Sequence, residues 1–483
     1  MRGLCLFFVL ALSCLIINSF GYKLKFLSDN NKEQEKRRKL FEKFTNEISK
    51  EVSLYEENVL AERDVVREYV PLSPEKGVEH SVFYDQPFGE IVESRPSDAT
   101  CVPREVPEFY YKTSENKCYV LVLSGGANRG AWQTGVLRGL VGKHTTKYND
   151  TIRWDVIGGV SIGGVLALAG LFHEPGDEKS YTERLWNIWS TVRQDYLSDC
   201  SMPIWKNLFK FIPQYIGSML NPRKKPKNSI CDHTPLLHYL NNTFGHLVEP
   251  YENETYIRIQ SEKHKMGEQF EIKRREVLVS AVRYEDGEYV TWNSSYTSLP
   301  DLINATLAST SVPGAFSPVI INGSHYMDGG VIMNMNVEES IKACFRLGLA
   351  RRQEDIVIDA IETFPDKRVK SYGDDSSQKK DITFISLLSR SYSILHSQVT
   401  GLRLLRTVLC KYPKVNLRYY FSPTNEEYQE FPKSAFDGNN LTGILNMLKL
   451  GLRKGWNNGF MSIDECTNSG DSPNIYGSEL FQT

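Results

Sequence analysis

WDVIGGVSIGGVLALAG, residues 154–170, is the stretch on which the fold turns. Trp154 to Val160 is an apolar run of the kind found in a strand covered on both faces. Gly163 to Leu171 is a run of small and apolar residues with the character of a buried helix. Between them lies Gly159-Val160-Ser161-Ile162-Gly163, a Gly-x-Ser-x-Gly pentapeptide followed by Gly164. A turn this tight from strand to helix forces its serine into a strained backbone. Small residues two before and two after, Gly159 and Gly163, relieve the clashes. The serine hydroxyl then projects at a helix N-terminus, where N–H groups and the helix dipole favour a negative oxygen. Ser161 is therefore read as a nucleophile.

The same pattern occurs upstream. CYVLVLSGGANRGAWQTGVLRGL, residues 118–140, runs from a strand, Cys118 to Leu123, through a glycine cluster into a helix, Ala131 to Val141. Two strand–loop–helix units in about 50 residues indicate a parallel α/β sheet. Further strands are expected at Glu276–Val282, Pro318–Ile321, Asp355–Ile361 and Val415–Phe421, and a helix at Thr442–Trp456. The glycine cluster matches neither the P-loop nor the Gly-x-Gly-x-x-Gly dinucleotide pattern. It suits an oxyanion hole instead, because glycine leaves backbone N–H groups unobstructed. Arg129 stands one turn on, suited either to a substrate phosphate or to a structural cap.

A serine nucleophile needs a base. A triad hydrolase would place an acid and then a histidine after it. His396 is the one histidine beyond Asp328, and it stands in an amphipathic helical pattern that suits a structural role; His233 and His325 come too early for that order. Asp328, in Tyr326-Met327-Asp328-Gly329-Gly330, is the alternative. A carboxylate followed by two glycines can approach a serine hydroxyl closely, and partial burial raises its basicity.

Taken in order, SGGANRGAWQTGVLRGL, GGVSIGG, LASTSVPGAFSPV and YMDGGVIMN make the chain similar to the patatin-like phospholipases over about residues 118–460. The resemblance implies a three-layer α/β/α fold with a mostly parallel central sheet. It implies a Ser–Asp dyad of Ser161 and Asp328, as in cytosolic phospholipases A rather than triad hydrolases. It implies an oxyanion hole around Gly125, Gly126 and Gly130, and no catalytic metal or cofactor. The expected substrate is a lipid or phospholipid ester, cleaved through an acyl-enzyme. Two positions depart from the family pattern. Ala127 stands where a third glycine is usual, and Asn336 where proline is usual, the latter expected to alter only a turn. A catalytically weak or inactive storage or binding glycoprotein on the same fold is the alternative, with Ala127 as its reason.

The rest of the 483 residues frames this domain. Hydrophobic residues at 41% and charged residues at 24% suit a globular protein, and a net charge of −2 does not suit a nucleic-acid binder. Arg2, the apolar Leu4–Ile17 and the small residues before Tyr22 read as a signal peptide over residues 1–21. Seven sequons, at Asn149, Asn241, Asn253, Asn293, Asn304, Asn322 and Asn440, fit the secretory pathway, with release or a lysosome-like lumen as the destination. No later stretch is apolar enough to span a bilayer. Of nine cysteines, two fall in the leader; Cys101 with Cys118, and Cys200 with Cys231, are the pairings expected among the other seven. Residues 22–115 form a charged helical arm, with an apolar face of Leu40, Phe41, Phe44, Ile48 and Val52, and a proline-containing linker. Residues 116–460 are the expected catalytic domain and 461–483 a tail. Residues 201–229 mix Trp205, Phe209, Phe211 and Tyr215 with Arg223, Lys224, Lys225 and Lys227, a composition suited to a cap that touches a membrane or micelle surface.

Overall fold

The computed structural model describes residues 35–55, 57, 113–114, 116–191, 229–245, 275–365, 404–405, 408, 411–432 and 440–457. The expected leader, linker and tail, the basic insertion to residue 228, Asn253 and His396 lie outside them.

Strand β1, Cys118–Leu123, is buried along its whole length. Tyr119, Leu121 and Leu123 face one apolar core while Cys118, Val120 and Val122 face another. Two covered faces explain why its sequence is a continuous apolar run rather than an alternating one. On one side β1 pairs in parallel with β2, Val156–Val160, which pairs in parallel with β3, Glu276–Arg283. Two antiparallel strands flank β3: β4, Tyr289–Asn293, and β6, Ser324–Asp328, the latter carrying β5, Val319–Ile321. On its other side β1 pairs in parallel with β7, Ile356–Ile361, and β7 with β8, Asn416–Phe421. The eight-stranded sheet runs β5-β6-β3-β2-β1-β7-β8, with β4 branching from β3.

Helices cover both faces, so the molecule is a three-layer α/β/α sandwich. Helix α1, residues 35–55, buries Phe44 and Ile48, with Leu40, Phe41 and Val52 packed beside them. That is the apolar face expected from the sequence. Phe44 stacks on Trp186 at 5.7 Å, and Tyr55 on Trp456 at 5.4 Å. The same layer holds α2, Gly130–Lys143; α3, Ile162–Gly170; α4, Glu178–Thr191; α5, Thr234–Phe244; and α6, Leu299–Ser309. The opposite face is covered by α7, Val337–Arg346, with Leu404, Leu405, Val408 and Val415. Helix α8, Leu441–Asn457, lies directly on α2. A Cβ at Gly451 would sit 2.1 Å from the Trp132 carbonyl oxygen, and one at Gly135 2.2 Å from that of Leu448. No helix among the described residues is long and apolar enough to cross a membrane.

Cys118 is disulfide-bonded to Cys344, across 226 residues of chain, and not to Cys101. The expected pairing assumed a short loop, but β1 and α7 bring distant cysteines within a Cα separation of 6.0 Å. Cys231 is also disulfide-bonded, and Cys200 lies outside the described residues.

Register places the site. Leu123 pairs with both Gly159 and Ile361, and Val160 with Ser280. The chain therefore leaves β1, β2 and β7 at one edge of the sheet, where α/β folds place their ligands. Asp328 pairs with Ala281 and so arrives at that edge from the antiparallel direction.

Candidate active site

Ser161 joins β2 to α3 with φ 54° and ψ −124°, a region that residues with a side chain rarely adopt. The surroundings enforce it. A Cβ at Gly159 would lie 2.1 Å from the Gly163 carbonyl oxygen, and one at Gly163 2.3 Å from that of Leu123. The Ser161 N–H donates to Ser309 Oγ at 2.8 Å, and Ser309 Oγ donates in turn to the Ser280 carbonyl at 2.6 Å. Fully buried Ser309 thus ties the strained turn to β3. Sequence reading missed it, because the serine lies within the LASTSVPGAFSPV block whose letters carry no obvious chemistry.

Asp328 ends β6 and is buried. Its Oδ1 accepts the Gly330 N–H at 2.8 Å, and the Ser161 side chain lies near enough to favour the ionised form. Burial pushes the carboxyl up to about 6, and those two neighbours work against a larger rise. Its own N–H donates to the Ser311 carbonyl at 3.0 Å. His233 lies behind that loop, with Nδ1 3.5 Å from Ser311 Oγ and its ring on Phe316. His325 pairs with Glu285 at the surface. Among the described residues no histidine is hydrogen-bonded to Ser161 or Asp328.

The glycine loop approaches Ser161 from β1. A Cβ at Gly125 would fall 2.8 Å from Ser161 Cβ, so only glycine fits there. Of the glycines expected around the oxyanion hole, Gly125 was expected to present a free N–H, and it does not. The Gly125 N–H donates to the Asn334 carbonyl at 3.2 Å. The Gly130 N–H bonds to the carbonyls of Ala127 and Asn128, and the missing side chain at Gly130 makes room for Ile162 and Trp189. Among the described residues, the N–H groups of Gly126 and Ala127 have no acceptor within the protein. Ala127 has φ 53°, a left-handed conformation that glycine would adopt at lower cost but that leaves its N–H unengaged.

Arg129 stands at the N-cap position of α2, but its side chain makes no capping hydrogen bond and its Nε has no partner among the described residues. Its guanidinium lies over the rings of Phe364 and Tyr428, 4.7 and 4.9 Å from their centroids. Asn336 does more than alter a turn. Its Nδ2 donates to Ser280 Oγ at 2.6 Å, a buried bond into β3 that proline could not make.

A strained serine, a buried carboxylate and two free N–H groups share one sheet edge, and residues 121–341 match the model for patatin-like phospholipase. That segment belongs to the patatin-like phospholipase family. Solved structures similar to the chain include VipD from Legionella pneumophila, 14% identical with a TM-score of 0.28, covering 69% of this chain and 67% of that one. Another is human GIVD cytosolic phospholipase A2 in complex with methyl gamma-linolenyl fluorophosphonate, 11% identical with a TM-score of 0.28, covering 71% of this chain and 58% of that one. No curated protein matches the chain. Membership of the patatin-like family supports a lipid hydrolase activity and a lipid substrate.

Proposed function

We propose that the protein is a lipid acyl hydrolase of phospholipase A type that works through a Ser161–Asp328 dyad, in lipid degradation. The observation that carries this reading is Ser161, in its strained turn, beside the buried carboxylate of Asp328, whose proton affinity is raised to about 6. Such a carboxylate is ionised near neutrality yet basic enough to accept a proton in the transition state. Ser161 Oγ attacks the ester carbonyl as Asp328 takes its proton. The developing oxyanion accepts hydrogen bonds from the Gly126 and Ala127 N–H groups. The tetrahedral intermediate collapses, and the leaving alcohol takes the proton from Asp328. Water then gives a proton to Asp328 and attacks the acyl-enzyme, and Ser161 Oγ departs with that proton.

The test is covalent labelling with an alkyl fluorophosphonate, together with turnover of long-chain phospholipids. Labelling is expected at Ser161 in the wild type and is expected to vanish in Ser161→Ala. Equal labelling of the two would place the nucleophile elsewhere. The chain is further proposed to mature in the secretory pathway, as a glycoprotein that is secreted or held in a lysosome-like lumen, and to act at a membrane or micelle surface. The Cys118–Cys344 disulfide supports an oxidising compartment, and Asn149, Asn241, Asn322 and Asn440 are exposed for glycosylation.

A further inference from the structure

We infer that Thr363 and Asn334 are positioning residues of the oxyanion hole, acting through the carbonyl of Gly125; this rests on the acyl-hydrolase reading above. Thr363 lies two residues past the end of β7, beyond the 121–341 segment that defines the family match.

The Gly125 carbonyl and the Gly126 N–H belong to the same planar amide and point in opposite directions. Gly125 O accepts from Thr363 Oγ1 at 2.5 Å, Asn334 Nδ2 at 3.2 Å and Ser124 Oγ at 3.3 Å. The N–H at the other end of that amide is the Gly126 donor left free among the described residues. Donors on the carbonyl therefore do two things. They fix the direction in which the Gly126 N–H points. They also polarise the amide, so that the free N–H carries more positive charge and binds a developing oxyanion more strongly.

Both side chains are themselves held. Thr363 is fully buried, and its N–H donates to Ser124 Oγ at 2.9 Å and to Glu362 Oε1 at 2.8 Å. Its side chain lies against the Gly126 Cα so closely that a Cβ there would fall 2.2 Å from Oγ1. Asn334 grips Gly125 twice, accepting its N–H through the main chain and donating to its carbonyl through the side chain. Its Oδ1 would lie 2.6 Å from a Cβ on Gly125 and 2.8 Å from one on Gly330, the residue whose N–H holds Asp328. The glycine loop and the base loop are thus set against each other by one buried amide.

The experiment compares wild type, Thr363→Val, Thr363→Ala, Thr363→Ser and Asn334→Asp in the full chain. It reads the rate of Ser161 labelling by an alkyl fluorophosphonate, kcat and KM on a p-nitrophenyl ester above pH 8, and thermal melting. Thr363→Val keeps the volume without the hydroxyl, and Thr363→Ala relieves any crowding, so whichever folds serves. Both are expected to lower labelling rate and kcat about tenfold, less than the roughly 10²–10³ lost with a whole donor. KM is expected to stay within about twofold, as for an interaction made in the transition state. Thr363→Ser is expected to keep most of the rate, and Asn334→Asp, which replaces the Nδ2 donor by an oxygen, to lose it. Wild-type rates in Thr363→Val or Thr363→Ala overturn the inference, as does a Thr363→Ser enzyme as slow as they are. If the wild type itself is not labelled, the acyl-hydrolase reading fails first and this inference falls with it.

Discussion

Asp328 holds its proton up to a pH near 6, against 3.8 for an ordinary aspartate, because the fold takes its carboxylate out of water. In its proposed role as base it must be ionised, so kcat/KM is expected to fall about tenfold per pH unit below 6 and to be flat above it. The effect on stability has the opposite sense. The folded state holds this proton more tightly than the unfolded one, so the group's stabilising contribution is complete below about pH 4 and is lost as pH rises through 6. At pH 7 the ionised carboxylate is a burden of at most about 3 kcal/mol. Asp328→Asn retains an acceptor for the Gly330 N–H without the charge. It is expected to be inactive and to melt higher than wild type at pH 7, with the difference shrinking at pH 4. A variant that melts lower at pH 7, beside a wild-type profile flat down to pH 5, would contradict both halves of this account. At this scale the sequence was legible where geometry is local. The need for glycine at 159 follows from contact with the Gly163 carbonyl four residues on, whereas at 163 it comes from Leu123 on the neighbouring strand. The fate of the Gly125 N–H was not legible, since it depends on Asn334, 209 residues away. The same missing Cβ serves a free donor or a close approach.

Elements were legible in proportion to how much of each is covered. Strands β1, β2, β3 and β7 have both faces buried, and their apolar runs stand out. Strand β6 reads Ser-His-Tyr-Met-Asp, with only Tyr326 and Asp328 fully buried, and gives no such run; β4 is half-buried throughout. Helix α8 was expected at Thr442–Trp456, but its docking on α2 was not legible, because that contact is made by absent side chains. Gly135 and Gly139 on α2 face Gly451 and Gly455 on α8, each bringing backbone against backbone. Two effects compete when Gly451 becomes alanine. Helix propensity favours alanine by about 1 kcal/mol. The new methyl would meet the Trp132 carbonyl oxygen at 2.1 Å, and main chain cannot step aside without parting the helices, which costs about 1–3 kcal/mol. The steric cost is the larger, so Gly451→Ala is expected to lower the urea midpoint. Gly245→Ala, where the nearest atom would be 3.8 Å away, is expected to leave it unchanged. A Gly451→Ala protein as stable as wild type would mean that the helix pair is looser than these contacts imply.

Across the whole molecule, the two halves of the site arrive on separate chain segments joined at their far ends. Strand β1 begins at Cys118 and leads into the glycine loop; the segment after Asp328 runs through Asn334 into α7, which carries Cys344. The disulfide therefore ties the outer ends of the same two segments that Asn334 and Gly125 join at the site. Its pairing could not be read from spacing, because only the sheet order places β1 beside α7. Closing a loop of 226 residues restricts the unfolded chain strongly, and disulfides of this kind contribute about 2–5 kcal/mol. Both cysteines are fully buried, so Cys118→Ala with Cys344→Ala leaves a small apolar gap rather than an exposed defect. The double variant is expected to melt well below wild type. A reductant is expected to lower its melting less than that of the wild type, since the double variant has already lost the Cys118–Cys344 bond and keeps the disulfide of Cys231. The same bond gives the proposed secretory maturation a test. Chain made with its N-terminal segment in a secretory system is expected to carry the disulfide and to shift on glycosidase treatment. Chain made in a reducing cytosol lacks the Cys231 disulfide as well and is expected to melt no higher than the double variant. Should the cytosolic and secreted forms melt alike in reductant-free buffer, with no glycosidase shift, the secretory reading would lose its support while the fold and its site would stand.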